Sequence, residues 1–241
     1  MSEPMSVYVY AITKAEHPLD LDDVTGVGEE PAELHTVSDG GLSAVVSETP
    51  EDLSVARRDL EAHHEVQEQL WADGAILPLS FGFVAPDEDA VRALLEERAE
   101  AFSQRLDELT GCAEFNVKGV QDEDTLLRAI LADSEQAREL NESIREGGGS
   151  YEDRLALGEL VAGEVQTRQS ALAEEVLTAL RPFALAEKVS PPSQQYFVSV
   201  SFLVEDERFE EFTRAGGELD ARLGEDAELR LRGPLPPYSF V

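Results

Sequence analysis

The sequence is poor in cysteine and in lysine. Cys112 is the single cysteine among 241 residues, so no disulfide can form within the chain, and a reducing, intracellular compartment is expected. Lysine occurs only at positions 14, 118 and 188, and the other basic residues are arginines. Binding to nucleic acid or to an anionic membrane requires clustered positive charge, so the composition argues against both kinds of partner.

Long hydrophobic runs are also missing. The longest mostly apolar stretch, residues 75–85, is too short to span a bilayer and is interrupted by Pro78 and Gly82. The first residues carry no basic segment followed by an apolar run, which a signal peptide requires. We therefore expect a cytoplasmic protein with no direct membrane insertion.

Negative charge, by contrast, is abundant. The chain has 51 Asp and Glu against 19 Lys and Arg, a formal net charge of −32, while 42% of its residues are hydrophobic, which is enough to build a core. At low ionic strength such a surface repels itself, whereas at about 1 M salt the Debye length is only about 3 Å and the repulsion is screened. The composition thus predicts a halophilic protein of a high-salt cytosol.

The first half of the chain has the pattern of an α+β domain, with predicted boundaries 1–112. Residues 7–12 predict a strand, and Asp39-Gly40-Gly41 predicts a hairpin turn. Alternating apolar residues over 77–83 predict one strand, with Pro78 at an edge or bulge, and Asp87 is expected to cap the next helix. The helix after Pro50 is predicted to bury a stripe of Leu53, Ala56, Leu60, His64, Gln67 and Trp71.

The second half, residues 113–241, predicts the order βαββαβ. That order is typical of a ferredoxin-like domain, here modified by a helical insertion at about residues 121–150, where 122–145 predicts a single helix. A C-terminal tail of residues 233–241, with three prolines, cannot be helical. Its Tyr238, Phe240 and Val241 are costly to expose together, so we expect the tail to dock on the protein itself, either as packing alone or as a strip that also binds a partner.

Catalytic and metal-binding motifs are weak. Glu61 and His64 lie three residues apart on one predicted helix, a spacing that binds metal in di-iron bundles, but such sites need a second Glu-x-x-His and the sequence has none. A half-buried structural role for His64 is the favoured interpretation. The sequence also lacks a G-x-S-x-G nucleophile motif and a P-loop. We predict no catalytic residue, no cofactor and no metal.

Four segments together resemble the GvpF/GvpL family of gas vesicle proteins. They are Val7-Tyr8-Val9-Tyr10, the His64 helix leading into the Leu-Pro-Leu-Ser-Phe-Gly run at 77–82, the strand at 201–204, and the C-terminal Gly-Pro-Leu-Pro-Pro-Tyr-Ser-Phe-Val. The resemblance extends over nearly the whole chain. The sequence departs from the family pattern at Ser80, where Arg is usual, and at Leu235, where Trp is common.

The resemblance implies a role in gas vesicles, the protein shells that give cells buoyancy. Family members are similar to two-domain α+β proteins with a modified ferredoxin-like second domain, and they are accessory or minor structural proteins rather than enzymes. It implies that the chain acts in assembly or nucleation, and that its partners are the hydrophobic shell protein and other accessory proteins. As partner contacts we predict Leu77, Leu79, Phe81, Pro234, Pro236, Pro237, Tyr238 and Phe240.

Two other functions stay open from the residues alone. One is an acidic halophilic enzyme or metal-binding protein that uses Glu61 and His64. The other is a general chaperone-like factor without specificity for gas vesicles. A stoichiometric transition metal in the purified protein would favour the first of these.

The net charge predicts that the fold depends on salt. Dialysis from molar KCl into buffer of low ionic strength should unfold the chain, because unscreened repulsion among its carboxylates opposes the compact state. Circular dichroism measures the change, and a spectrum that is the same at both salt concentrations would contradict the prediction.

Overall fold

A computed structural model describes residues 5–21, 24–51, 53–191, 193, 195–224 and 227–241. The chain forms two compact units, Met1–Glu114 with Pro234–Val241, and Phe115–Gly233. The sequence analysis placed a boundary after residue 112 and all of 113–241 in one domain. The structure instead assigns residues 234–241 of the C-terminal tail to the first unit, because their hydrogen-bond partners lie there.

The first unit is a five-stranded antiparallel sheet with two helices. Its central strand is buried along nearly its full length, which shows that both faces of the sheet are covered. The strands are β1 (Val7–Lys14), β2 (His35–Asp39), β3 (Leu42–Glu48), β4 (Leu77–Pro78) and β5 (Val84–Ala85), and the helices are α1 (Arg57–Asp73) and α2 (Glu88–Leu109). The sheet order is β2-β3-β1-β4, and β5 pairs with the first residues of β1, along the same edge as β4.

Local signals in the first unit behave as predicted. Gly40 and Gly41 have φ values of 58° and 82° and join β2 to β3 in a two-residue hairpin, a backbone conformation that glycine adopts without strain. Asp87 caps α2, since its carboxylate accepts a hydrogen bond of 2.8 Å from the amide of Ala90. The predicted hairpin and the predicted helix cap are both confirmed.

A four-stranded antiparallel sheet lies largely in the second unit. Its strands are β6 (Cys112–Val120), β7 (Ala186–Val189), β8 (Val198–Glu205) and β9 (Glu228–Leu235), in the order β7-β8-β6-β9. The first residues of β6 and the last of β9 are assigned to the first unit. The first of these strands thus lies between the third and the fourth, as in a βαββαβ sheet. Helix α6 (Phe209–Leu223) follows β8, and its Phe212 packs against Phe115 and Phe202 at ring-centroid distances of 5.0 and 5.3 Å.

Three helices follow β6, and the first two lie within the predicted insertion at residues 121–150. The single helix predicted over 122–145 is wrong: the structure has α3 (Glu123–Asp133) and α4 (Glu135–Arg145), since Ser134 ends the first and caps the second through the amide of Ala137. A long helix, α5 (Tyr151–Leu180), starts with a capping box between Ser150 and Asp153. The three helices share a small core around Leu126, Ile130 and Ala137.

None of the helices within the described residues is both long enough and apolar enough to cross a membrane. Even α5, with 30 residues, carries charged side chains from Glu152 to Glu175.

The insertion should depend on Ile130. Replacing this fully buried side chain by alanine removes methyl groups from the three-helix core and should lower the free energy of unfolding by about 2–5 kcal/mol, measured by urea denaturation. Leu155→Ala, at an α5 position that is half exposed, is the matched control and should cost much less. If Ile130→Ala lowers the free energy of unfolding no more than Leu155→Ala does, the prediction that the three-helix core contributes to stability is contradicted.

Candidate partner-binding surface

Helix α1 turns a polar face toward the sheet. Its buried residues include Asp59, His63 and Gln67, while His64 is exposed. Within the predicted stripe Gln67 is buried as predicted, and Leu60 and Trp71 are partly buried, but His64 is exposed and the buried imidazole is that of His63. A search for apolar periodicity could not find Asp59 and His63, because both are polar and bind partners distant in sequence.

The His63 imidazole links β1 to the edge of the sheet. Its Nε2 lies 3.1 Å from the carbonyl oxygen of Leu79 and its Nδ1 lies 2.9 Å from the hydroxyl of Tyr8. Because a carbonyl only accepts, Nε2 carries the proton, and Nδ1 accepts from Tyr8. Burial lowers the pKa of His63 to about 4, so the ring is neutral at pH 7, and burial raises the pKa of Tyr8 to about 12.

Gln67 and Asp59 complete the polar face of α1. The Gln67 amide donates to the carbonyl oxygens of Tyr10 and Leu79 at 2.7 and 2.8 Å. The buried Asp59 carboxylate accepts from the amides of Gly28 and Ser54 at 3.1 and 3.3 Å. Chiefly through a hydrogen bond from the neighbouring Arg58, the pKa of Asp59 is held below its usual value. Helix α1 is thus hydrogen-bonded to the sheet and to the loops that contain Gly28 and Ser54.

Residues 77–85, which we name the edge segment, border β1 on the side opposite β3. The continuous strand predicted over 77–83 is wrong. Pairing with β1 is interrupted by a turn, closed by a 3.2 Å hydrogen bond from the amide of Phe83 to the carbonyl of Ser80, in which Gly82 has a φ of 87°. Pro78 lies at the sheet edge, as predicted. The turn also donates from the Gly82 amide to the Tyr8 hydroxyl at 3.1 Å.

The edge segment exposes apolar side chains that the sequence analysis did not select. Phe83 and Val84 are 40% and 41% exposed, whereas Leu77 is only 3% exposed and is part of the core. Leu79 and Phe81 are partly buried. In the folded chain, Phe83 and Val84 are therefore accessible to a partner. Leu77 is not.

The C-terminal tail docks on the first unit, as expected. Two details of the prediction are wrong, since Tyr238–Phe240 form one turn of 3-10 helix and Val241 is 53% exposed. Glu114, a buried carboxylate, accepts from both the amide and the hydroxyl of Ser239, at 2.6 and 2.8 Å. The Arg105 guanidinium donates to the carbonyl oxygen of Phe240 at 2.6 Å. Among the predicted contacts in the tail, Pro236, Pro237 and Phe240 are buried, Tyr238 is partly buried and Pro234 is exposed. Most of these side chains pack against the protein itself.

A row of aromatic rings joins the two predicted contact segments. The rings of Phe81 and His63 are 5.6 Å apart, those of His63 and His64 6.0 Å, and those of His64 and Tyr238 5.4 Å. The Tyr238 hydroxyl also lies 3.2 Å from Nδ1 of His64. Helix α1 therefore holds the edge segment and the tail on the same unit, although they are more than 150 positions apart in sequence.

The alternative pairing of Glu61 with His64 is not formed. The Glu61 carboxylate is bound by Arg57 at 2.6 Å, and the imidazole of His64 contacts Tyr238. Across the part of the chain that the structure describes, no three His, Cys, Asp or Glu side chains are grouped so that they could hold a metal ion.

Comparison with known proteins agrees with this architecture. The model of the family described as gas vesicle synthesis protein GvpL/GvpF matches residues 6–241. The chain belongs to this family. It is 42% identical to gas vesicle protein F of Streptomyces sp. (strain CB03234), over 98% of this chain and all of that protein. It is 25% identical to gas vesicle protein F of Dolichospermum flosaquae, over 100% of this chain and 98% of that one.

A solved structure shares the fold. The crystal structure of GvpF from Anabaena sp. PCC7120 superposes with a TM-score of 0.82, covers 98% of both chains and is 24% identical in sequence, which supports the fold alone. Membership of the GvpL/GvpF family makes this a gas vesicle-associated protein, in a family that is not known for enzymes.

His63 should make stability depend on pH. Its folded pKa of about 4 lies below the ordinary value of 6.5, so the unfolded chain binds more protons between these values and stability falls as pH drops through that range. The full loss, reached below about pH 4, is about 3 kcal/mol. Urea midpoints from pH 7.5 to 4.5 should fall less steeply for His63→Gln than for the unmodified chain. His64→Gln, which changes the exposed neighbour, is the control; an equal flattening by both variants would contradict the assignment.

Glu114 should control the docking of the tail. Glu114→Gln keeps the shape but replaces one acceptor oxygen by an amide that cannot accept from Ser239, so hydrogen exchange at the Ser239 amide should accelerate by tenfold or more, on the order of 1.4 kcal/mol. Glu123→Gln, an exposed acid at the start of α3, is the control with the same change in charge. Unchanged exchange at Ser239 in Glu114→Gln would show that the carboxylate does not hold the tail.

Proposed function

We propose that this protein acts in gas vesicle assembly, at or near nucleation, by binding the hydrophobic shell protein and other accessory proteins. Family membership supports the gas vesicle setting. The observation that supports a binding role is the exposed apolar pair Phe83 and Val84 at an edge of the five-stranded sheet. We place this activity in the cytoplasm, since the chain has one cysteine and its composition suits a high-salt, reducing compartment.

The edge segment has the chemistry that an apolar, β-forming partner requires. An edge strand can pair with an incoming strand through its backbone, and neighbouring apolar side chains provide the hydrophobic contact. Phe83 supplies aromatic area and Val84 a β-branched surface, next to the partly buried Leu79 and Phe81. A bound shell protein would cover these side chains and shield part of its own apolar surface from water.

The net charge supports the same function. A net charge far from zero keeps proteins soluble, so the −32 of this chain supports the solubility of a complex with an aggregation-prone cargo. Molar salt shortens the range of the repulsion but leaves the charged surface in place, and the hydrophobic contact at the edge segment persists in salt. We therefore propose that the apolar edge segment binds the shell protein and that the charged surface of the rest of the chain keeps the complex in solution.

The edge segment should determine capture of the shell protein. Phe83→Ser with Val84→Ser places two hydroxyls on the proposed contact and should reduce co-purification of the shell protein at least tenfold, because the apolar area is lost while the fold is kept. Val55→Ser, at a position that is 82% exposed elsewhere on the first unit, is the control. Circular dichroism verifies folding of each variant, and full capture by the Phe83/Val84 variant would contradict the proposed contact.

A cellular test addresses the vesicle role itself. Electron microscopy of cells that lack the gene should show loss of vesicles, and the unmodified gene should restore them. The Phe83/Val84 double variant should fail to restore vesicles, while Val55→Ser should succeed. Normal vesicles without the gene would contradict an essential role in assembly.

A further inference from the structure

The C-terminal tail docks on a different compact unit from the one it leaves. Strand β9 extends to Leu235, and the boundary between the two compact units falls within it, between Gly233 and Pro234. Gly233 has a φ of 155°, which glycine adopts without strain, and is followed by proline.

The site that receives the tail is built entirely from residues of Met1–Glu114. We name His64, Arg105 and Glu114 the tail receptor. They bind three successive tail residues: His64 contacts the Tyr238 hydroxyl at 3.2 Å, Glu114 accepts twice from Ser239, and Arg105 donates to the carbonyl of Phe240. The buried Pro236, Pro237 and Phe240 supply the apolar part of the contact.

These contacts need an occupant. The Glu114 carboxylate is 2% exposed, and withdrawal of the tail would remove two donors from a buried charge. None of the contacts depends on the tail and the receptor being in the same chain, since they are local hydrogen bonds and side-chain burial. Each copy of the protein thus carries one complete receptor and one complete ligand for it.

We propose that copies of this chain associate by tail exchange, in which the C-terminal tail of one copy occupies the tail receptor of a second. The exchanged contact repeats the one seen within the chain, so it requires no new complementary surface. One copy that gives its tail to a second leaves its own receptor open for a third, which makes the contact head-to-tail. This surface is separate from the edge segment, and its test does not depend on binding of the shell protein.

Concentration and salt should govern the exchange. The chain's own tail competes at an effective concentration on the order of 1 mM, as expected for a short linker, so exchange grows when copies are crowded together. Copies that each carry −32 repel one another, and salt should therefore promote exchange.

Two complementary full-length variants test the proposal. Tyr238→Ala with Phe240→Ala spoils the tail but leaves the receptor, and Arg105→Ala with Glu114→Gln spoils the receptor but leaves the tail. Because neither variant can close on itself, an equimolar mixture in molar KCl should form a one-to-one heterodimer. The mass measured by sedimentation velocity should shift from the 26.4 kDa of one chain to that of two.

The controls separate exchange from general association. The tail variant mixed with a chain that carries all four substitutions offers neither an intact tail nor a second receptor and should give no new species. If circular dichroism shows that a double variant is unfolded, the milder Ser239→Ala and Arg105→Ala are mixed instead, and a labelled peptide of residues 233–241 is titrated into the Ser239→Ala chain. Folded variants that form no heterodimer, or a receptor that does not bind the peptide, would overturn the proposal.

Discussion

The structure of the first unit depends on a buried polar contact between α1 and the sheet. His63 and Gln67 both bind the carbonyl of Leu79, and Tyr8 is bound at once to His63 and to the amide of Gly82. Unpaired polar groups at these positions would be costly, so the network specifies a single position of the helix against β1 and the turn. The hydrophobic packing around the network buries apolar surface, whereas the network determines how α1 is positioned along β1.

The proposed binding surface follows from that contact. Fixing the turn at Gly82 directs Leu77 into the core and leaves Phe83 and Val84 in solvent, so the exposure of the apolar pair results from the way the edge segment is held. The same helix presents His64 to Tyr238. A scaffold that carries both an exposed apolar edge and a docked tail suits a protein that binds others.

Local signals in the sequence predicted much of this fold. The Gly40-Gly41 hairpin, the Asp87 cap and the mixed helix and sheet were readable because each depends on neighbours in sequence. The burial of Asp59 and His63 on α1 was not, because both are polar and their partners Gly28, Tyr8 and Leu79 lie 16 to 55 positions away. Glu114 carried a weak signal, a charge between the apolar Ala113 and Phe115, but only the folded chain shows that it receives the tail. Exposure of Phe83 likewise depends on a turn that alternation of apolar residues does not reveal.

The central claim is that the edge segment is where the shell protein binds. Hydrogen exchange of the full chain, compared with and without bound shell protein, tests it most directly because every amide reports at once. The account predicts new protection concentrated at residues 79–85 and little change along β7, an edge strand of the second sheet. Protection at β7 with none at residues 79–85 would contradict the account.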